Sequence, residues 1–459
     1  MICLVAGMGG FLFGYDWVVV GGAKPFYEPF FDLTTATQQG WGTSSALIGC
    51  ILGALFCVFF TDRYGRRKLL ILAGFLFTFS AIGTALSHDF TWYNTYRILG
   101  GFGIGITLNL SPMYISEMSP QHVRGKFVSV NQLMIMIGIL CAQLMNWQIS
   151  LIDTELAGNA TAEMIRNSWL GQTGWRWMFG VEAIPAFLFF LLMIYMPESV
   201  RWLVKNGQAE EARKTLIRIG GEAYADAEIR EIQKTMGENE TGWSHLKKLM
   251  EPNVLKVLML GFFLALLQQW SGMNVVFYYA ADIFQAAGYD MHEMMLQIVW
   301  IGTIMVISVI GTILLVDKLG RKTLMLFGTG GLAVIYFIEG YFFQIGMIGT
   351  PIIVLTLLSV AIYSFTLAPV LWVILSEIFP NHLRGAAMSL AAVMHWVGNF
   401  SLTFTFPSIQ ASLGWTLNFW LYGLICVVGF IIVAITLVET KGKSLEQIEF
   451  ELIGKKKSG

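Results

Sequence analysis

Twelve stretches of roughly 20 mostly apolar residues run through this 459-residue chain, and nothing constrains its fold more. They fall at approximately 1–22, 41–61, 69–87, 93–116, 124–146, 174–196, 253–280, 292–316, 323–344, 350–376, 385–407 and 414–438. A helix of that length crosses the hydrocarbon of a bilayer while satisfying its own backbone polar groups. The runs are apolar all round and lack the stripe of a soluble amphipathic helix. The expected fold is therefore all-α and polytopic, with twelve transmembrane helices. Composition agrees: 56% of residues are hydrophobic and 13% charged. That balance excludes a disordered chain, a basic nucleic-acid binder and an ordinary soluble enzyme. Five dispersed cysteines without a CxxC or Cys/His cluster indicate neither a disulfide framework nor a metal site.

Lysine and arginine placement sets the orientation. With the loop at 62–68 in the cytoplasm, all but four of the 29 basic residues fall on that side, the exceptions being Lys24, Arg97, Arg166 and Arg176. Both termini are then cytoplasmic. Residues 1–22 lack a basic leader and a cleavage site, so they read as a retained helix, with a start codon upstream of Met1 compatible with the abrupt opening.

The chain repeats itself. Asp62-Arg63-Tyr64-Gly65-Arg66-Arg67 follows the second run, and Asp317-Lys318-Leu319-Gly320-Arg321-Lys322 the eighth. Ser116-Glu117, with Arg124-Gly125, is matched by Ser376-Glu377, with Arg384-Gly385. Pro197-Glu198-Ser199 is echoed by Val438-Glu439-Thr440. Paired motifs at equivalent places predict two six-helix halves with a site between them near the midplane, a transporter arrangement. The expected division is 1–198 for the first bundle, 199–252 for a charged cytoplasmic linker of amphipathic helices, 253–438 for the second bundle and 439–459 for a cytoplasmic tail. Positive-inside topology explains the bases of these motifs but not their acids. Arg66, Glu117, Arg124, Glu198, Arg321, Glu377, Arg384 and Glu439 are therefore expected to form a charge network that ties the halves together on the cytoplasmic side. Within it, Glu117 stands seven residues from Arg124, and Glu377 seven from Arg384.

An ionisable group at membrane depth costs about 2.5–3.5 kcal/mol on insertion scales and needs a reason. Asp16 reads as the only acid deep in the first half, and Arg97 near the outer end of the fourth run is its expected partner. The pair is either a static brace or a proton site. The seventh run carries Gln268-Gln269-Trp270-Ser271-Gly272-Met273-Asn274, and then Tyr278. Amides offer donors and acceptors without charge, as a polyol requires. Ser271-Gly272 is expected to unwind the helix where it lines a cavity. Gln132, Trp372 and Trp396 are further ligand candidates. The glycines at 100, 101, 103 and 105 read as helix packing. The chain has no Walker A motif and its six histidines are dispersed, so no catalytic set and no cofactor are expected.

On Asp62–Arg67, Pro197-Glu198-Ser199-Val200-Arg201-Trp202, Gln268–Asn274 and Glu439-Thr440-Lys441-Gly442, the chain resembles the sugar porter family of the major facilitator superfamily over essentially its whole length. It is most similar to bacterial D-xylose:proton symporters, through Leu110–Glu117 and Val130-Asn131-Gln132. The resemblance implies alternating access in a bacterial inner membrane. It also implies sugar binding by Gln132, Gln268, Gln269, Asn274 and Trp372, with Phe13 and Tyr278 lining the pocket and Asp16 and Arg97 coupling a proton. His395 stands before Trp396 where those symporters carry Gln, and Met305 where they carry Asn; His395 is counted with the pocket. The expected cargo is a monosaccharide, D-xylose or D-glucose, taken up with a proton by a protein working as a monomer. A facilitative uniporter with a structural Asp16–Arg97 pair is the alternative.

Overall fold

The computed structural model describes residues 2–120, 123–153, 161–235, 250–380, 383–443 and 445–453. Among the described residues, 11 helices are long and apolar enough to cross a membrane. The last, Arg384–Thr436, is two crossings joined at Gly414, whose φ of 70° and ψ of 179° break the helix. Twelve crossings result. The first six are Ile2–Phe30, Ala36–Tyr64, Arg66–Leu86, Phe90–Met118, Arg124–Ser150 and Leu170–Tyr195. The sixth opens with a π turn at Leu170–Gly174, four residues before the expected boundary. In the second half come a broken seventh crossing, Met291–Leu319, Arg321–Gln344, Thr350–Ile378, and then 384–413 and 415–436. The charged segment between the halves forms helices Val200–Lys205, Ala209–Gly220 and Glu222–Thr235, as its pattern predicts. Its remainder, 236–249, lies outside the described residues.

The repeated glycines have a shared physical reason. Gly65 and Gly320 turn the chain between consecutive helices at φ 88° and φ 90°, a region that side chains disfavour. Beneath each lies an acid. A Cβ on Gly65 would meet Glu198 Cδ at 2.8 Å, and one on Gly320 would meet Glu439 Oε2 at 2.7 Å. Glu198 accepts from the backbone N–H groups of Arg66 at 2.9 Å and Arg67 at 3.0 Å. Glu439 accepts from Arg321 at 2.9 Å and Lys322 at 3.1 Å. Each acid therefore neutralises the N-terminus of the next helix, where orphan donors and the helix dipole favour an anion.

Two crossings are interrupted at mid-depth. The seventh runs Pro252–Trp270, breaks at Ser271 and Gly272, resumes as Met273–Tyr278, and kinks again at Tyr279 before Ala280–Ala286. Gly272 has φ 87°, and a Cβ there would lie 2.7 Å from the Tyr422 ring. The tenth breaks at Thr366, ahead of Pro369. Proline has no N–H, so the Phe365 carbonyl loses its helical donor; the Thr312 hydroxyl donates to it instead at 2.8 Å. Gln268 donates to the neighbouring carbonyls of Leu367 and Ala368, both at 3.3 Å.

Glycine also sets how closely helices approach. Gly101 and Gly105 bring the fourth helix onto the carbonyls of Ala46 and Cys50 in the second, the packing role expected of that glycine run. Gly21 brings the first helix against the seventh, where a Cβ would lie 2.6 Å from the Phe277 carbonyl. Gly272→Ala should lower the melting temperature of the purified protein, because backbone strain of about 1–3 kcal/mol adds to a clash with Tyr422; an unchanged melt would mean that the break does not need glycine.

Candidate functional site

A cavity enclosing about 660 Å³ of empty space lies between the halves. Seven expected residues meet on its wall: Phe13, Gln132, Gln268, Gln269, Trp372, His395 and Trp396. Trp17, Tyr363, Ser364 and Asn399 also line it, and the sequence reading did not single them out. Met305 occupies the wall as the departure from the family pattern anticipates.

The amides form a directed chain. Asn274 donates to Gln269 Oε1. Gln269 Nε2 donates to Gln268 Oε1 at 2.9 Å and lies 2.9 Å from His395 Nδ1. Gln268 in turn donates to the tenth helix, as above. Asn274 is thus a buried support behind Gln269 and is not itself on the cavity wall. Tyr278 does not line this cavity either; it faces a second, smaller one.

That second cavity, of about 260 Å³, is lined by Asp16 and Arg97 together with Tyr278. Phe13, Trp17 and Trp396 line both cavities, so three aromatic side chains form a shared partition. The Phe13 and Trp396 rings meet edge to face with centroids 5.9 Å apart. Asp16 and Arg97, each 3% exposed, form the expected ion pair. Asp16 is not the only deep acid of this half. Glu182 is 2% exposed, interacts with both Asp16 and Arg97, and lies within hydrogen-bonding reach of the Asp16 carboxyl. Asp16 Oδ2 and Glu182 Oε1 each lack a donor. The signal in the sequence is an isolated acid inside the apolar sixth crossing.

On the side away from the linker, the halves are fastened by an ion pair that the sequence reading missed. Lys24 of the first helix reaches Asp282 of the seventh at 2.8 Å and Glu28 at 3.2 Å. Its ammonium also lies 5.2 Å from the centre of the Tyr279 ring. Deeper in the same seam, the Trp17 and Phe277 rings pack edge to face across the halves at 5.2 Å.

Two of the linker-side acids have described arginine partners. Glu117 is held by Arg66 at 3.0 and 3.1 Å, and Ser199 donates to it. Glu377 is held by Arg321 at 3.2 Å. Both partners come from the neighbouring turn. These described pairs each stay within one half, where the expectation was a tie between halves. Arg384 donates to the Phe379 carbonyl at 3.5 Å, and the Arg124 side chain lies outside the described residues. Burial raises the Glu439 carboxyl, but the backbone N–H groups of Lys441, Arg321, Thr323 and Lys322 outweigh it and hold the group below its ordinary value.

Comparison with known proteins places this geometry in context. Residues 2–452 match the family described as "Sugar (and other) transporter". The chain is 36% identical to the arabinose-proton symporter of Bacillus subtilis, covering 98% of this chain and 94% of the relative. It is 35% identical to the D-xylose-proton symporter of Escherichia coli, with the same coverage. Among solved structures, the inward open conformation of the xylose transporter XylE from E. coli matches with a TM-score of 0.83 at 33% identity, covering 98% of this chain and 99% of that one. The same transporter bound to 6-bromo-6-deoxy-D-glucose matches with a TM-score of 0.77 at 33% identity, covering 98% of each chain.

Asp282→Asn should weaken the far-side fastening and speed maleimide labelling of a cysteine placed at Ala411, beside the pair, by tenfold or more, equivalent to about 1.4 kcal/mol; an unchanged rate would show that the pair seals nothing. Glu439 stabilises the fold above its unfolded-chain value, and that stabilisation is lost as pH falls through the lower folded value. Acidification from pH 6 to below about 4.3, the ordinary glutamate range, should therefore lower the melting temperature less in Glu439→Gln than in the parent protein. Parallel melts for the two proteins would remove Glu439 from the account.

Proposed function

The chain belongs to the sugar (and other) transporter family, and from that premise we infer that it carries a monosaccharide across the membrane together with a proton, by alternating access. One observation supports this reading most: a charge cluster of Asp16, Arg97 and Glu182 shares an aromatic partition with a cavity lined by amides. Amide oxygens accept hydrogen bonds from sugar hydroxyls, and aromatic faces cover C–H surface. The proton belongs at the carboxyl pair. Two ionised carboxylates against one guanidinium leave a net negative charge in a low-dielectric site, and one bound proton removes it.

In this reading the halves, 1–198 and 253–438, rock about the central cavity. With Lys24–Asp282 closed, the cavity communicates with the linker side. Opening that pair and drawing the linker-side charges of the two halves together exposes the other face. The cargo is a pentose or hexose, with D-xylose, arabinose and D-glucose the first candidates, in keeping with the names of the relatives. His395 and Met305 bear on the choice among them. Both termini face the cytoplasm of a bacterial cell whose inner membrane holds the protein as a monomer, and the protein performs no covalent chemistry on its cargo.

Asp16→Asn should abolish uphill accumulation in proteoliposomes under an imposed acid gradient while leaving sugar counterflow intact. Accumulation at the parental level in that variant would reduce the Asp16–Arg97 pair to a brace and favour facilitative transport.

A further inference from the structure

A groove enters the outer surface of the bundle between the seventh and twelfth crossings. Lys256, Val257, Leu260 and Phe263 form one wall, and Ile432 and Thr436 the other. Leu452, from the terminal helix Leu445–Ile453, completes the lining. It encloses about 700 Å³ of empty space and shares no lining residue with the central cavity. Apolar side chains beside it on the same two helices, Leu255, Met259, Ile431 and Ile435, are exposed, so this face looks onto lipid. Beyond Lys256 and Thr436 the wall gives water no side-chain polar partner, and an unfilled apolar groove forgoes dispersion contacts. A hydrocarbon chain supplies them.

Lys256 is the cationic member of the lining. It is exposed, four residues into its helix from Pro252, so its flexible stem can follow the apolar wall while the ammonium reaches headgroup depth. The acid nearest Leu452 in sequence, Glu451, is engaged by Lys443 at 2.7 Å. We propose that this groove binds an anionic phospholipid, with one acyl chain lying along Leu260 and Phe263 and the headgroup phosphate meeting the Lys256 ammonium. A headgroup of net negative charge is attracted to a cation at the membrane surface, and a zwitterionic headgroup gains less from one.

The test is to titrate the purified full chain with dioleoyl phosphatidylglycerol or dioleoyl phosphatidylcholine and measure retained lipid by native mass spectrometry. The phosphatidylglycerol should be held at least fivefold more tightly. Lys256→Gln should erase that preference, and Lys256→Arg should keep it. Leu260→Trp, which fills the groove, should reduce retention of both lipids, with the melts of all variants confirming that they fold. Equal retention of the two lipids by the parent protein would overturn the proposal. So would a preference that survives Lys256→Gln, retention indifferent to Leu260→Trp, or a dimer of this chain cross-linked through a cysteine at Leu260.

Discussion

Inside hydrocarbon, every backbone donor and acceptor must find a partner within the protein, and the architecture follows from that obligation. Ten of the crossings meet it without a break at mid-depth. The seventh and tenth are broken there, and side chains from neighbouring helices complete what the breaks leave open. Thr312 takes the carbonyl that Pro369 frees, and Gln268 donates to those of Leu367 and Ala368. Gln268 and Ala368, each within three residues of a break, lie on the wall of the central cavity. Gln268 both donates to this backbone and lines the site, so one amide serves stability and the cavity wall together.

The same logic governs charge. Glu198 and Glu439 are anions placed where helix N-termini present unpaired N–H groups, which is why each motif pairs an acid with a glycine at positive φ. Arg97 is a cation placed where two carboxyls converge. In the second arrangement Asp16 Oδ2 and Glu182 Oε1 are buried without a donor.

Much of this was legible in the residues. The apolar runs gave the crossings, the paired motifs gave the two halves, and Ser271-Gly272 marked the break in the seventh helix. Seven of the nine expected ligand residues converge on one wall. What escaped depended on lateral packing. Lys24 and Asp282 are 258 residues apart and carry no local pattern that pairs them. Glu117 is held by Arg66 from the neighbouring turn, a lateral relation that spacing along the sequence does not encode. Glu182 was visible as an acid in an apolar run, but only the fold brings it beside Asp16. Asn274 shares a short helix with Tyr278, yet the two serve different compartments, since one turn points back to Gln269 and the other toward the charge cluster.

The direction of the amide chain has a consequence for what the cavity will admit. Gln268 has committed both N–H groups to the tenth helix, and Gln269 has committed its own to Gln268 and His395. What those two side chains still offer a visitor is oxygen lone pairs. A guest is therefore greeted there by acceptors, and it must arrive with hydrogens to give; an ether-capped molecule of the same outline would find that stretch of wall unanswering.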